Sequence, residues 1–183
     1  MPLPERKTAR LRWGRISVAG SRYFLTLCTK DRVPVLSSPP VCDSILAALR
    51  PVYTDDAVLL AATIMPDHVH LLFTLGSRLT LGQVMGKFKT LSRDRGFSPW
   101  HWQEDGFDHR LRAEDSTEDY GFYLFMNPYR ASFLPTSQTW PWWICPDPTQ
   151  FRFTAHLNPD GTPPPEWLGE VATVTARIVT GEP

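Results

Sequence analysis

The 183-residue sequence has no excess of either charge: 19 Lys and Arg balance 19 Asp and Glu, for a formal net charge of zero. Whole-chain charge therefore gives no support for binding an anionic polymer, and any such argument must come from local patches. A long apolar run is also missing. The longest, residues 58–65, falls far short of the roughly 20 residues that span a bilayer. Charges stand near the N-terminus where a secretory signal needs an apolar core, so a protein of the cytoplasm, with no membrane partner, is expected. Cysteine is scarce. Cys28, Cys42 and Cys145 make an odd count without a CxxC pair, which excludes a disulfide framework and a thiolate zinc site and leaves reduced packing residues.

What is present is a globular composition, 42% hydrophobic and 21% charged, which excludes a disordered chain, a collagen and a coiled coil. The length suits one domain of moderate size. Proline is the excess: of 18, nine fall at or after Pro135, and this asymmetry marks a boundary. We expect a domain over residues 1–135 and a Trp- and Pro-rich tail over 136–183, partly disordered from Pro163 onward. Charge divides in the same way. Residues 1–15 carry a net +4, a basic arm containing Arg12 and Arg15, whereas residues 136–183 carry a net −3 that masks it in the total.

Residues 21–29 (SRYFLTLCT) read as a strand, and Asp43 is placed to cap a short helix with Ile45, Leu46, Ala48 and Leu49 inward, ending by Pro51. Residues 57–65 and 68–75 read as two strands joined by a tight turn at Pro66-Asp67. Leu81, Val84, Met85, Phe88 and Leu91 recur at helical spacing, with Lys87, Lys89, Arg93 and Arg95 off that stripe. A weak strand follows at 107–112. A further helix, capped near Asp115 to Thr117, should run to about Met126, because Pro128 disfavours a helical Asn127. This order is that of an α+β ferredoxin-like sandwich: an antiparallel sheet with helices on one face, plus an extra helix.

Two histidines carry the chemistry. His68 and His70 flank Val69 inside a strand, where residues i and i+2 share a face, so both imidazoles can meet one metal ion. A zinc hydrolase would need a third strong ligand, and the residues after His70 are Leu71, Leu72 and Phe73. Two imidazoles with amide or water oxygens suit a harder ion, Mg²⁺ or Mn²⁺, polarising a phosphoryl oxygen. Tyr123 and Asn127, at i and i+4 on the last helix, could bring a phenol and an amide to the same ion. A phenol ionises near pH 10, so it needs a polarised phosphodiester and an in-line approach to act as a nucleophile. Tyr120, one turn earlier, competes with Tyr123 for this role, and either aromatic could simply be core.

Residues 65–72, Met-Pro-Asp-His-Val-His-Leu-Leu, resemble the HUH motif (His, hydrophobic, His) of single-tyrosine transposases. Residues 123–128, Tyr-Leu-Phe-Met-Asn-Pro, resemble the tyrosine helix of the REP-associated members, in the Tyr-x-x-x-Asn-Pro form. Similar to the same family are Tyr23-Phe24-Leu25-Thr26 with Asp31-Arg32, the segment from Trp102-Gln103 through Asp108 and Arg112, and Trp140-Pro141-Trp142. The resemblance spans roughly residues 10–143 in family order. It favours Tyr123 over Tyr120.

The resemblance implies a metal-dependent endonuclease and strand transferase acting on single-stranded DNA at the foot of imperfect palindromic hairpins. It further implies that His68, His70 and Asn127 hold Mg²⁺ or Mn²⁺ and that Tyr123 attacks the scissile phosphate. The product would be a 5′-phosphotyrosine and a free 3′-OH. Arg12, Arg15, Lys87, Lys89 and Arg93 are the candidate DNA contacts, each making affinity fall with salt. Nucleoid association follows from such a partner, and a monomer is favoured over a dimer. The alternative function is a descendant that grips hairpin DNA without cutting it.

Overall fold

Alternation along the strands decides which side of the sheet each residue serves. In β1 (Arg22–Cys28), Tyr23, Leu25 and Leu27 enter one apolar cluster, while Phe24 enters a second on the opposite face. In β3 (His68–Leu75), Val69, Leu71 and Phe73 join the first cluster, so His68, His70 and Leu72 face the second side. The computed structural model describes residues 16–93 and 100–181. Arg12 and Arg15 of the expected arm lie outside the described residues.

The remaining elements follow in the expected order. They are α1 (Pro39–Asp55), β2 (Ala57–Ile64), α2 (Leu81–Leu91), β4 (Phe107–Arg110) and α3 (Thr117–Arg130), then β5 (Trp143–Ile144) and α4 (Trp167–Thr175). The strands form one antiparallel sheet in the order β4-β1-β3-β2-β5. Without the short β5 this is the ferredoxin-like arrangement. Helices α1 and α2 cover the first face, α2 through Leu81, Val84, Met85 and Phe88. Helix α3 covers the other. A bulge in β2 between Leu59 and Ala61 places both Leu60 and Ala61 on the α3 side.

Three helix boundaries differ from expectation, and proline bears on each. Helix α1 starts at Pro39, after Ser38 in extended conformation, rather than at Asp43. Prolines fit the first helical positions because their absent N–H groups would have no acceptor there. The helix then passes through Pro51 to Asp55, with a non-helical Tyr53 marking the disturbance, and Leu46 points outward, 38% exposed. Helix α3 likewise passes through Pro128 to Arg130 instead of ending near Met126. It closes with Ser132 at φ 59°, where Phe133 N donates to Pro128 O and Ser132 N to Tyr129 O, both at 3.0 Å. This pairing satisfies two end carbonyls of the helix.

The segment expected to be partly disordered is instead ordered to residue 181. Helix α3 is apolar all round: Phe24 and Leu72 meet it from the sheet, while Phe151, Phe153, Trp167, Val171 and Val174 bury its outer side. Full burial of such side chains contributes about 1.5–3 kcal/mol each, and proline, with φ already fixed, has less backbone freedom to lose on ordering. Polar ties fix the docking. Glu118 accepts hydrogen bonds from Arg152 N and Phe153 N at 3.0 and 2.9 Å, and Arg177 pairs with Asp119 at 3.2 Å. Trp143 of β5 packs edge-on against Phe125 at 5.0 Å. The tryptophans of the tail cover core, as Trp140 does in donating to Ile64 O at 3.2 Å.

Gly121 is the point of closest approach, since a Cβ there would lie 2.2 Å from the buried Phe151 ring. Replacing it with Ala raises helix propensity by about 1 kcal/mol, yet overpacking costs about 1–3 kcal/mol. Gly121→Ala is therefore expected to destabilise, with a lower urea midpoint than wild type. An increase would show that the tail is not seated on α3 as described.

Candidate active site

The strand register sets His70 between two threonines, opposite Thr26 of β1 and Thr63 of β2. Both neighbours point to its own face of the sheet. Thr26 Oγ1 lies 3.0 Å from His70 Nδ1, and His68 Nδ1 donates to Asp67 Oδ1 at 2.6 Å. Each ring is thus held at Nδ1, and the two Nε2 atoms converge to 3.0 Å. Asn127 Nδ2 stands 3.2 Å from the same His70 Nε2. Rotating that amide by half a turn puts Oδ1, the atom a cation takes, in its place.

These residues fit a small divalent ion. Octahedral ligands about 2.0–2.1 Å from an ion lie about 3 Å from one another, which is the spacing of the two Nε2 atoms. Asp67 fixes the proton of His68 on Nδ1 and leaves its Nε2 lone pair available. For His70 the proton can sit on Nε2, bonding His68, or on Nδ1, bonding Thr26. The second tautomer offers both Nε2 lone pairs to a metal, with the Thr26 hydroxyl donating to Thr180 O at 3.4 Å. Among the described residues no group of three His, Cys, Asp or Glu gathers to hold a metal. The donor set is two imidazoles and an amide, which suits Mg²⁺ or Mn²⁺ better than a thiolate-preferring ion.

Asp67 is itself anchored by Arg32, whose Nε lies 3.0 Å from Oδ2. Burial raises the Asp67 carboxyl, but the hydrogen bond and charge of His68 and the charge of Arg32 outweigh it and hold the group below the usual carboxylate range. Arg32 adopts φ 57°, a left-handed conformation uncommon for a bulky residue.

Helix α3 delivers the other half of the site. Tyr123 is fully buried, with its ring edge-on to His70 at 5.5 Å and to Phe24 at 6.1 Å. Arg130 reaches back along the helix, placing Nη2 3.4 Å from the Tyr123 hydroxyl. Tyr120, the competitor, is occupied otherwise. Its hydroxyl accepts from Val179 N at 3.1 Å, its ring stacks on His109, and burial pushes its pKa up to about 12.

Pro128 could break this helix, because it removes the N–H that would bond Leu124 O. Thr63 Oγ1 donates to that carbonyl at 2.7 Å instead. The rung that holds His70 therefore also holds the tyrosine helix, and Asn127 lies beside the contact. The structure brings His68, His70, Asn127 and Tyr123 together, on the two elements β3 and α3.

The basic residues of α2 are divided. Lys87 pairs with the buried Asp56 and donates to Pro51 O at 3.3 Å, so it neutralises an interior carboxylate and is removed from the DNA candidates. Lys89 donates to Gln103 O at 2.7 Å and Glu104 O at 3.1 Å, tying α2 to the segment before β4. Arg93, 2.9 Å from His101 Nδ1, lines with Lys30, Lys89 and Trp102 an open cleft of about 660 Å³. Sequence reasoning missed Thr26, Thr63, Asp67 and Arg130. Asp67 was legible beside His68, and Arg130 as the residue two turns after Tyr123; the threonines needed the register.

A histidine pair on an antiparallel sheet and a tyrosine on a helix packed against it form one cluster on a ferredoxin-like fold. Residues 17–104, which carry both histidines, match the family of IS200-like transposases. Tyr123 and Asn127 lie beyond the matched segment. Among solved structures, the REP-associated tyrosine transposase bound to a REP hairpin is similar, with 21% identity, a TM-score of 0.62, and coverage of 87% of this chain and 92% of that one. The two share a fold. A partial likeness, 24% identity with a TM-score of 0.43 over 56% of this chain and 87% of the other, is to a candidate transposase from Deinococcus radiodurans. A comparison with curated proteins finds no match.

The Thr63 contact makes a testable pair. Thr63→Val leaves Leu124 O buried without its hydroxyl donor, an expected loss of about 1–3 kcal/mol. Adding Pro128→Ala restores the helical N–H to that carbonyl and should recover most of the loss in a urea double-mutant cycle. Additive losses in the double variant would sink the assignment.

Proposed function

We propose that this chain is a metal-dependent endonuclease and strand transferase acting on single-stranded DNA at hairpins of the REP type. The observation that carries the reading is the convergence of His68 Nε2, His70 Nε2 and the Asn127 amide beside Tyr123. The match of residues 17–104 to the IS200-like transposase family supports the DNA substrate, and the hairpin bound by the structural relative supports its shape.

Tyr123 Oη attacks the scissile phosphorus, the Oη–P bond forms, and the P–O3′ bond breaks. The phenolic proton ends on the departing 3′-oxygen, leaving a 5′-phosphotyrosine and a 3′-OH. Because one phosphodiester replaces another, the reverse attack by a 3′-OH reseals or transfers the strand without ATP. His68, His70 and Asn127 would hold Mg²⁺ or Mn²⁺, which when bound would supply Lewis-acid polarisation of a phosphate oxygen. Asp67 and Thr26 orient the two imidazoles, and the sheet contacts of α3 keep the phenol against them. Arg93 and the cleft beside it, with Arg12 and Arg15, are the proposed backbone contacts.

The test is incubation of the full chain with labelled single-stranded oligonucleotides carrying imperfect hairpins, resolved on a denaturing gel. A covalent adduct is expected with Mn²⁺ or Mg²⁺, absent with chelator and in Tyr123→Phe, which still binds the hairpin. Salt-sensitive binding without an adduct would select the non-cutting descendant instead. Cleavage that survives Tyr123→Phe would point to a water-using hydrolase.

We further infer that the tyrosine acts on the histidines of its own chain, since His70 and Tyr123 touch within one protomer. Mixing Tyr123→Phe with His70→Ala should then restore no adduct. Recovery in the mixture would require exchange of tyrosine helices in a dimer.

A further inference from the structure

Arg130 follows Tyr123 by seven residues, two turns of α3, and so projects from the same face. Its guanidinium carbon stands 5.3 Å from the centre of the Tyr123 ring, and Nη2 lies within hydrogen-bonding reach of the phenolic oxygen, at 3.4 Å. The turn after it is fixed by the Ser132 and Phe133 backbone bonds to Tyr129 and Pro128. A cation in the last turn complements the helix dipole wherever it points. This one points at the atom that would react.

Resting on the function proposed above, we propose that Arg130 is a catalytic residue that stabilises the charge of Tyr123 and of the phosphate it attacks. A guanidinium stays protonated throughout, so it cannot take the phenolic proton. What it offers is a fixed positive charge and several N–H donors in one plane. One donor meets Oη, and others in the same plane can meet a non-bridging oxygen of the incoming phosphodiester, the paired recognition that suits phosphate. As Oη–P forms and P–O3′ breaks, negative charge grows on the phosphoryl oxygens between the histidine side and the arginine side. In the return step the 3′-OH attacks, Oη–P breaks, and the charge falls on the departing phenolate, again against Arg130. One residue thus serves both half-reactions, and the proton passes between Tyr123 and the 3′-oxygen with no further reactant. The surroundings favour this role: Tyr123 is buried, where a charge without a partner is costly.

The experiment compares wild type, Arg130→Gln, Arg130→Lys and Arg130→Ala for Mn²⁺-dependent adduct formation on a hairpin oligonucleotide at saturating DNA. Arg130→Gln is expected to slow the adduct step by about 10²–10³-fold, the effect of removing a transition-state donor, with hairpin affinity and thermal midpoint near wild type. Arg130→Lys should recover part of the rate. Millimolar guanidinium should partly rescue Arg130→Ala, whereas sodium at equal ionic strength should not, a response that a merely structural role would not produce. Wild-type rates in folded Arg130→Gln would overturn this proposal and leave the nuclease intact. Slow adduct in Arg130→Gln with neither lysine recovery nor guanidinium rescue would assign Arg130 to packing and overturn the proposal as well. Absence of any adduct in wild type would remove the nuclease reading, and this proposal with it.

Discussion

One rung of the sheet organises the site. Thr26, His70 and Thr63 stand side by side on β1, β3 and β2, and each threonine hydroxyl holds a different partner. Thr26 fixes the imidazole, while Thr63 takes the carbonyl that Pro128 leaves open in the tyrosine helix. A shift of either strand by one residue would turn every side chain to the other face and lose both contacts together. The apolar alternation of β1 and β3, buried on both faces, opposes such a shift. Ordinary hydrophobic burial therefore enforces the register on which the polar geometry depends.

The same logic explains why the tyrosine helix is covered on both sides. A helix that presents Tyr120, Phe122, Tyr123, Phe125 and Tyr129 around its circumference cannot lie on a sheet and expose the remainder to water. The segment after Pro135 supplies the second cover. Its aromatic residues, the Glu118 contacts and the Arg177–Asp119 pair clamp the outer side. With packing on both sides, the helix has little freedom to move the phenol relative to the histidines.

Much of this architecture is legible in the amino-acid sequence. The order of strands and helices, the antiparallel sheet and the shared face of His68 and His70 follow from periodicities of two and 3.6. The departures have a common origin in tertiary partners that local rules omit. Pro128 ends a helix in isolation, but not when Thr63 replaces the missing donor. Richness in proline suggested disorder, yet Phe151, Phe153 and Trp167 had an apolar helix to meet. The all-round apolar sequence of 120–129 was the signal that a second cover existed. Lys87 lay off the apolar stripe and looked like a surface cation; only packing shows that Asp56 is buried opposite it. The family resemblance named Tyr123 and Asn127, and geometry alone shows them beside His70.

The contrast between Tyr120 and Tyr123 shows what a site adds to a helix. Both phenols are buried, lie one turn apart, and contact Phe24. Tyr120 meets neutral backbone groups of Val179, which suit a protonated phenol, and burial then raises its pKa to about 12. Tyr123 meets a guanidinium on one side and the His70 ring on another. A neutral partner stabilises the resting phenol, whereas a fixed cation favours negative charge on a phenolic oxygen. Burial without such a cation would suppress the chemistry; burial with one concentrates the attraction, because no water screens it. Position on the helix made the two residues equivalent candidates, and their partners set them apart: Tyr120 is tied to backbone, and Tyr123 stands between a cation and an imidazole.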